Sequence, residues 1–343
     1  MNRLTFIGSI QLNSPSTGGG VQTKNQHFLR YILSKNVDCR VFDTWKKKSV
    51  LSLIMSLIYI VRTKRSEPII LSISTRGAYY IAKILNLTHL KRRIFYWVAG
   101  GDLAIDLKNV SLKNRRVYDV FTKVVVQCNY LKRDLEELSI TNCAMVPNFK
   151  PVIFKPTIDK AIFEKIRFVY FSRVLIQKGI EEIIQAFKSL GNKNICLDIY
   201  GTLVPPYDEG YFKDFYYLNI NYKGFLDVSV EDGYKQLSEY DVLLFPTYFK
   251  GEGFPGTLLD AFIAGVPVIA SDFHANGEVL VDGYNGLLIP PNDAGALSTA
   301  MNRLISDIDL RKKLRKNAIL TAREYDVEMI LDEAFARLKI FED

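Results

Sequence analysis

Two kinds of apolar pattern alternate along the chain. Short apolar runs predict buried β-strands, and segments whose apolar residues recur every three or four positions predict amphipathic helices. The clearest helices are 21–33, which follows Thr17-Gly18-Gly19-Gly20, and 179–190. The predicted strands are 4–10, 39–42, 69–73, 94–98, 123–127, 168–171, 196–200, 222–225, 242–245, 266–270 and 287–289. Because strands alternate with helices, the pattern predicts βαβ units and parallel sheets.

A Pro-rich stretch at 147–156 separates two such series of strands and helices. A chain of 343 residues suits two domains better than one core. We therefore expect an α/β protein with two doubly wound parallel-sheet domains, 1–155 and 163–320, that face a cleft. In such sheets, ligands bind at the carboxyl ends of the strands.

Cysteine, histidine and hydropathy patterns exclude several other classes of protein. The four cysteines show no CxxC spacing and the three histidines are far apart, so no disulfide framework and no metal site is predicted. The longest charge-free apolar run, 49–61, is shorter than the roughly 18 residues that span a bilayer. The N-terminus also lacks the pattern of a signal peptide. We expect a cytoplasmic protein.

Two carboxylates eight positions apart, Glu252 and Asp260, bracket a Gly-Pro turn after the strand at 242–245. Glu252 lies beside the backbone amides of Gly253 and Phe254, and Asp260 lies on the following helix. A carboxylate accepts two hydroxyl hydrogen bonds and a helix N-terminus favours phosphate, so the motif suits a phosphorylated polyol. The alternative is a loop glutamate with a solvent-facing aspartate.

Two cations flank the turn after the strand at 168–171. Arg173 ends this strand, and Lys178 precedes Gly179 at the start of the next helix. Arginine binds a diphosphate through two hydrogen bonds and lysine as a point charge, so the pair suits a diphosphate. The alternative is a solvated pair of surface cations.

Together these motifs resemble glycosyltransferase family 4, whose members have the GT-B fold with two Rossmann-like domains and retain anomeric configuration. The resemblance covers most of 165–295, and its style is similar to bacterial enzymes that build capsule or O-antigen polysaccharide. It also implies that helix 327–341 packs back on the N-terminal domain. The motifs are Arg173 with Lys178-Gly179, Glu252-Gly253-Phe254-Pro255 with Asp260, Gly265-Val266-Pro267, Asp282-Gly283-Tyr284-Asn285-Gly286, Val146-Pro147-Asn148-Phe149, Gly18-Gly19-Gly20 and Gly100-Gly101-Asp102.

The resemblance implies a role for each matched residue. Arg173 and Lys178 stabilise the departing nucleotide diphosphate, and Glu252 contacts the donor sugar. Asp260 stands where relatives usually carry a glutamate that binds the ribose. The remaining positions are Gly253, Phe254, Gly19 and Gly20 on the donor side and Gly100, Gly101 and Asp102 on the acceptor side. The implied substrates are a nucleotide-diphosphate sugar and a glycan or polyprenyl-diphosphate-linked acceptor, with no cofactor and no metal.

Ala99 departs from the family pattern, because many relatives carry a histidine at this position. An alanine cannot position a sugar hydroxyl. Three explanations stay open: the subfamily manages without the histidine, Asp102 or backbone amides substitute for it, or activity is lost. The last defines an alternative function, a nucleotide-sugar-binding protein without transfer activity.

The charge of the chain is divided unevenly. Residues 1–160 carry 26 Lys and Arg against 10 Asp and Glu, a balance of +16, and the rest of the chain has a balance of −8. Cations flank the apolar stretch within 45–65, which is either a domain helix with solvated ends or an interfacial helix on an anionic membrane at the inner face of the cell. A nucleic-acid partner is not expected, because no recognised binding module is present.

Overall fold

The computed structural model describes residues 3–11, 20–45, 49–158, 165–191 and 194–341. The predicted Gly18 and Gly19 and the cations Lys46, Lys47 and Lys48 lie outside the described residues. The chain divides into two compact units, each with its own six-stranded parallel sheet.

Unit 1 comprises Met1–Pro151, Gly251–Phe254 and Asp326–Asp343. Its strands follow the order β2-β1-β3-β4-β5-β6, and all described pairings are parallel. The strands are β1 (Arg3–Gly8), β2 (Asp38–Asp43), β3 (Ile69–Ser72), β4 (Ile94–Trp97), β5 (Lys123–Val126) and β6 (Cys143–Met145). The helices are α1 (Gly20–Ser34), α2 (Ser49–Arg62), α3 (Thr75–Leu87), α4 (Asp102–Leu107), α5 (Leu112–Arg115) and α6 (Asn129–Glu137).

An aromatic cluster forms the centre of this unit. Phe28 of α1 meets Trp97 edge to face at 4.6 Å between ring centroids, and Phe149 at 5.7 Å. A C-terminal helix, α14 (Val327–Arg337), packs against α1, where the Tyr31 hydroxyl donates to Asp332 Oδ1 at 2.6 Å. Buried aromatic rings thus join α1, β4 and α14 into one core.

Unit 2 comprises Val152–Lys250 and Pro255–Tyr325. Its strand order is β12-β11-β10-β7-β8-β9. The strands are β7 (Ile166–Phe171), β8 (Ile195–Tyr200), β9 (Ile220–Gly224), β10 (Val242–Phe245), β11 (Val268–Ser271) and β12 (Gly286–Ile289). The helices are α7 (Ile180–Leu190), α8 (Glu209–Lys213), α9 (Glu231–Ser238), α10 (Gly256–Ile263), α11 (Asn276–Val279), α12 (Ala294–Ser306) and α13 (Ile308–Glu324).

The predicted secondary structure is confirmed in outline. Each of the eleven predicted strands coincides with a strand of the structure, and the two clearest helices appear as α1 and α7. The prediction missed β6, because three residues are too few to show a strand period. The predicted fold class, two doubly wound α/β domains, is also confirmed.

Candidate functional site

In unit 2 the strand order reverses between β7 and β10. The chain leaves β7 toward β8 on one side, and β10 is followed by β11 on the other. Open α/β sheets bind ligands in the crevice beside such a switch point, outside the carboxyl ends of the strands. The segments that follow β7 and β10 are therefore the candidate ligand site of unit 2. They contain Arg173, Lys178 and the loop 246–249.

A glycine turn brings Lys178 to the end of β10. After a single 3₁₀ turn, Ile176–Lys178, the chain passes through Gly179 with φ of +82° and then enters α7. A Cβ atom on Gly179 would lie 2.4 Å from the carbonyl oxygen of Pro246. Both the left-handed backbone and this close approach require glycine.

The two predicted cations share one aromatic ring. Lys178 is only 5% exposed, and its Nζ lies 5.1 Å from the ring centroid of Phe245 and 5.6 Å from that of Phe249. Arg173 is exposed, and its Cζ lies 5.6 Å from the same Phe249 centroid. Aromatic faces attract cations at these distances. The structure therefore brings Arg173 and Lys178 together, and it adds Phe249, which the sequence prediction missed.

Hydrogen bonds hold the loop that carries Phe249. The Tyr248 amide donates to the carbonyl of Gln177 at 2.8 Å, and Thr247 Oγ1 donates to the same carbonyl at 3.3 Å. Ser271, at the end of β11, donates from its hydroxyl to the carbonyl of Thr247. The ends of β10 and β11 and the Lys178 turn thus form one fixed edge.

Asp260 lies inside unit 2, on α10. It is 3% exposed, and its Oδ1 accepts a hydrogen bond of 2.9 Å from the hydroxyl of Tyr234 on α9. Burial, together with the charge of Asp260, raises the pKa of Tyr234 well above its usual value, so the phenol stays protonated and donates. The alternative of a solvent-facing aspartate is therefore wrong.

Glu252 and Gly253 lie in unit 1, against Gly100 and Gly101. A Cβ atom on Gly101 would lie 2.9 Å from the Glu252 carbonyl oxygen, and one on Gly253 would lie 3.1 Å from the Gly100 carbonyl carbon. Tyr130, at the start of α6, donates its hydroxyl to the Glu252 carbonyl. The predicted donor-side and acceptor-side glycines therefore meet backbone to backbone, which spacing along the chain could not show.

The neighbours of these glycines differ in exposure. Phe254 is buried at 8% exposed, whereas Asp102 is exposed at the first position of α4. Glu252 is half-buried. Ala99 is half-buried too and brings no polar group to the turn between β4 and α4.

The strand order of unit 1 reverses between β1 and β3, and α1 covers this switch point. Gly20 is the first residue of α1, and Gly19 lies outside the described residues. Asn25 bridges the two strands, because its Nδ2 donates to the carbonyls of Ser9 at 3.1 Å and Ser72 at 3.3 Å. One turn of helix thus ties both strand ends together.

Lys24 lies beside Asn25 and is also buried, at 5% exposed. Its Nζ donates to the carbonyl of Val98, after the end of β4, at 3.3 Å, and Gln127 Nε2 shares this acceptor at 3.4 Å. Burial lowers the pKa of Lys24 to about 7. The sequence prediction missed Lys24, because nothing in the local pattern distinguishes a buried lysine from a solvated one.

No group of three or more His, Cys, Asp or Glu side chains that could hold a metal ion occurs within the described residues. None of the described helices is both long enough and apolar enough to cross a membrane.

Part of the chain is similar in sequence to known glycosyltransferases. Residues 156–321 match the family of glycosyl transferases group 1. CapM of Staphylococcus aureus, a capsular polysaccharide biosynthesis glycosyltransferase, is 30% identical over 152 residues, 43% of this chain and 39% of that protein. The N,N'-diacetylbacillosaminyl-diphospho-undecaprenol alpha-1,3-N-acetylgalactosaminyltransferase of Campylobacter jejuni is 33% identical over 102 residues, 30% of this chain and 26% of that protein. The chain thus spans well under two thirds of the length of these curated relatives.

Among solved structures, Anabaena HepE in complex with UDP superposes with a TM-score of 0.72 at 14% identity, covering 99% of this chain and 100% of that one. A sucrose-phosphate synthase from Thermosynechococcus elongatus gives 0.75 at 16% identity, covering 99% of each chain. Likeness at such low identity shows the fold, which is the two-domain Rossmann-like GT-B fold.

Proposed function

We propose that this protein is a retaining glycosyltransferase that moves a sugar from a nucleotide-diphosphate sugar to a glycan or lipid-linked acceptor in bacterial surface polysaccharide synthesis. The observation that carries the proposal is the cation pair of Arg173 and Lys178 at the switch point of unit 2. Both cations lie inside the segment that matches the glycosyl transferases group 1 family.

The cation pair suits a departing diphosphate. Lys178 is buried beside two aromatic rings, so its charge acts in a medium of low dielectric constant, where electrostatic interactions are stronger than in water. Arg173 is exposed and can close on a phosphate through two parallel hydrogen bonds. Fixed positive groups aimed at the leaving diphosphate stabilise the charge that develops there. They can do so without a metal ion, so we expect transfer to persist in EDTA.

The donor sugar and the ribose would use the two carboxylates. Glu252 stands on a backbone that Tyr130 and Gly101 hold in place, which suits a side chain that must meet sugar hydroxyls at a defined position. Asp260, whose Oδ1 accepts from Tyr234, would take the position of the second carboxylate and bind the ribose hydroxyls. Gly253, Phe254 and Gly20 would contribute backbone amides on the donor side.

Retention is proposed to follow a front-face path. The bond between the sugar and the donor diphosphate would break, the acceptor oxygen would bond to the anomeric carbon on the same face, and an oxygen of the leaving diphosphate would accept the proton of the acceptor hydroxyl. The protein would then act by positioning and electrostatics, with Gly100, Gly101 and Asp102 on the acceptor side.

A donor screen tests the proposal. Ligand binding stabilises a fold by mass action, so the cognate nucleotide sugar should raise the melting temperature, whereas the matching free sugar should not. The stabilising donor is then incubated with polyprenyl-diphosphate-linked sugars and with glycan fragments, and its consumption is followed together with the anomeric configuration of the product. A protein that binds no nucleotide sugar, or a product of inverted configuration, would contradict the proposal.

A second candidate is a nucleotide-sugar-binding protein without transfer activity. Ala99 motivates it, because it brings no polar group to the turn that precedes Gly100 and Gly101. Tight donor binding with no donor consumption against any of these acceptors would favour this candidate.

The lipid-linked acceptor gains support from α2, whose apolar side is turned outward. Ser56 and Ile60 are fully buried, whereas a stripe at helical spacing is 42–66% exposed. The exposed members are Leu51, Ile54, Met55, Ile58 and Val61. Exposed cations follow this helix at Arg62, Lys64 and Arg65. We propose that this face lies on the anionic inner leaflet of the cell membrane, with the enzyme peripheral to it.

Vesicle binding tests this orientation. Ile54→Asp with Ile58→Asp should abolish co-sedimentation with phosphatidylglycerol vesicles, because charge on the exposed stripe opposes insertion. Met329→Asp is the matched control, since Met329 is 48% exposed on α14. If the double variant binds the vesicles as well as Met329→Asp does, α2 is not the membrane contact. If the wild-type protein binds phosphatidylcholine vesicles equally well, the contact does not depend on anionic lipid.

A further inference from the structure

The polar side of α1 is almost entirely used to hold the strand ends of unit 1. Gln22 Nε2 donates to Ser9 Oγ at 3.3 Å, and Asn25 donates to the carbonyls after β1 and at the end of β3. Gln26 Nε2 donates to the carbonyl of Ile10 at 3.0 Å. Each of these side chains is an uncharged amide with acceptors that suit it.

Lys24 is the exception on this side of the helix. An ammonium carries three N–H donors, yet within the described residues Lys24 has one hydrogen bond, to the carbonyl of Val98. Burial alone accounts for its lowered pKa, with no contribution from a described carboxylate, and Gln127, which shares the Val98 carbonyl, is uncharged. A buried charge is costly unless it is paired, so burial beside no carboxylate of the described residues shifts this amine toward its neutral form.

The position of Lys24 indicates where an anion would meet it. The amine reaches from the β1/β3 switch point to the carboxyl end of β4, which leads into the Gly100-Gly101 turn. This edge is where an open α/β sheet binds its ligand. Phosphate is the anion that the proposed nucleotide sugar and the proposed lipid-linked acceptor both carry.

We propose that Lys24 binds a phosphate group of the ligand held at the carboxyl edge of the unit 1 sheet. The inference rests on the proposed function and deepens it. The phosphate belongs either to the diphosphate of a lipid-linked acceptor or to the nucleotide sugar, and two probes separate these sources. Farnesyl diphosphate represents the acceptor head group, and UDP and GDP represent the donor.

The experiment measures the affinity of the full-length protein for each probe by calorimetry. Lys24→Met removes the charge at similar length, and Lys24→Gln keeps a donor for the Val98 carbonyl, so one variant tests the idea even if the other folds poorly. Lys83→Met is the matched control, because Lys83 is an exposed lysine on α3 of the same unit. Both Lys24 variants should lose at least tenfold in affinity for one class of probe, and Lys83→Met should stay within twofold of wild type.

A pH series separates ligand binding from a purely structural role. An anion favours the charged amine, so the wild-type affinity for the Lys24-dependent probe should fall by up to tenfold per pH unit between pH 7.5 and 9. Lys24→Met should show no such fall.

The outcomes are distinct. Loss confined to farnesyl diphosphate assigns Lys24 to the acceptor, and loss confined to UDP or GDP assigns it to the donor. Unchanged affinity of the Lys24 variants for every probe, or no binding of any probe by wild type, would overturn the inference. Lys24-dependent binding without consumption of any nucleotide sugar would instead contradict the proposed function and leave the phosphate site standing.

Discussion

In unit 2 the strand order reverses between β7 and β10, and two cations stand there beside Phe249. In unit 1 it reverses between β1 and β3, and the corresponding edge holds one buried amine, Lys24, among uncharged amides. The same topology thus creates two ligand edges of different chemistry. Unit 2 places an arginine and a buried lysine beside one aromatic ring, whereas unit 1 places a buried lysine, whose pKa burial lowers to about 7, among amides.

The two edges also differ in what holds them. The unit 2 edge is held by the backbone contact of Gly179 with Pro246 and by hydrogen bonds to the carbonyls of Gln177 and Thr247. The unit 1 edge depends on side-chain amides and on a segment from the other end of the sequence, Glu252-Gly253, which lies against Gly100-Gly101. Substitutions at the two edges should therefore remove different kinds of contact.

Removing the buried cation of unit 2 should have the largest effect. Lys178→Met should lower kcat for sugar transfer by about 10²–10³-fold, the usual loss when one preorganised electrostatic contact to the transition state is removed. Lys235→Met, an exposed lysine on α9, is the control and should change kcat less than twofold. Rates are measured at saturating donor, with melting curves to show that both variants fold. Near-normal kcat in Lys178→Met would show that the charge of Lys178 does not stabilise the transition state.

Gly179→Ala should destabilise the protein by about 3 kcal/mol or more, because a Cβ there overlaps a backbone carbonyl that cannot move aside cheaply. Gly283→Ala serves as the comparison. Gly283 has φ of +69° but open space around its Cβ position. Gly283→Ala should therefore lose only the about 1–2 kcal/mol of stability that a left-handed backbone costs an alanine. Urea unfolding measures both, and equal losses would mean that the approach to Pro246 is unimportant.

Tyr234→Phe should cost about 1–3 kcal/mol, because it removes the hydrogen bond that Tyr234 donates to the buried Asp260. Tyr216→Phe is the matched control, since Tyr216 is 54% exposed. It should leave the free energy of unfolding nearly unchanged. The free energy of unfolding is measured in urea for both variants. No loss in Tyr234→Phe would show that another group satisfies Asp260.

The smallest effect is a pH slope from unit 1. Burial lowers the pKa of Lys24 to about 7 from 10.5, so between these values the unfolded chain holds a proton that the folded protein has released. Stability therefore rises with pH in this window, by at most about 1.4 kcal/mol per unit. The free energy of unfolding of wild type minus that of Lys24→Met should rise between pH 7 and 8.5. The measurement stays below pH 9. Burial raises the pKa of Cys39 and Cys143 to about 12 from 9, so above pH 9 the unfolded chain releases thiol protons that the folded protein keeps, and stability falls. A flat difference would mean that Lys24 remains charged in the folded protein.

The part of the site that could be predicted is local in sequence. Arg173, Lys178 and Gly179 belong to one strand–turn–helix segment, so the alternation of apolar runs was enough to place them together. Phe249 escaped prediction, because it comes from the next strand across the switch point, and the sequence does not state the strand order.

The local sequence pattern also could not predict which side of helix α2 is exposed. The sequence leaves the stretch at 49–61 as either a domain helix or an interfacial helix, and in the structure its apolar stripe is exposed whereas Ser56 and Ile60 are buried. Helical periodicity shows that a face exists, but not which face the rest of the unit covers.

The sequence by itself determined every strand of the two sheets except β6, their division into two series and the position of the cation pair, because each depends on contacts between residues close along the chain. Only the tertiary structure decided that Glu252-Gly253 meets Gly100-Gly101, that Asp260 is held by Tyr234 and that Lys24 is buried with its amine on the Val98 carbonyl. Those facts depend on strand order and on packing between distant segments, and the desolvation that sets the pKa of Lys24 exists only once these segments have come together.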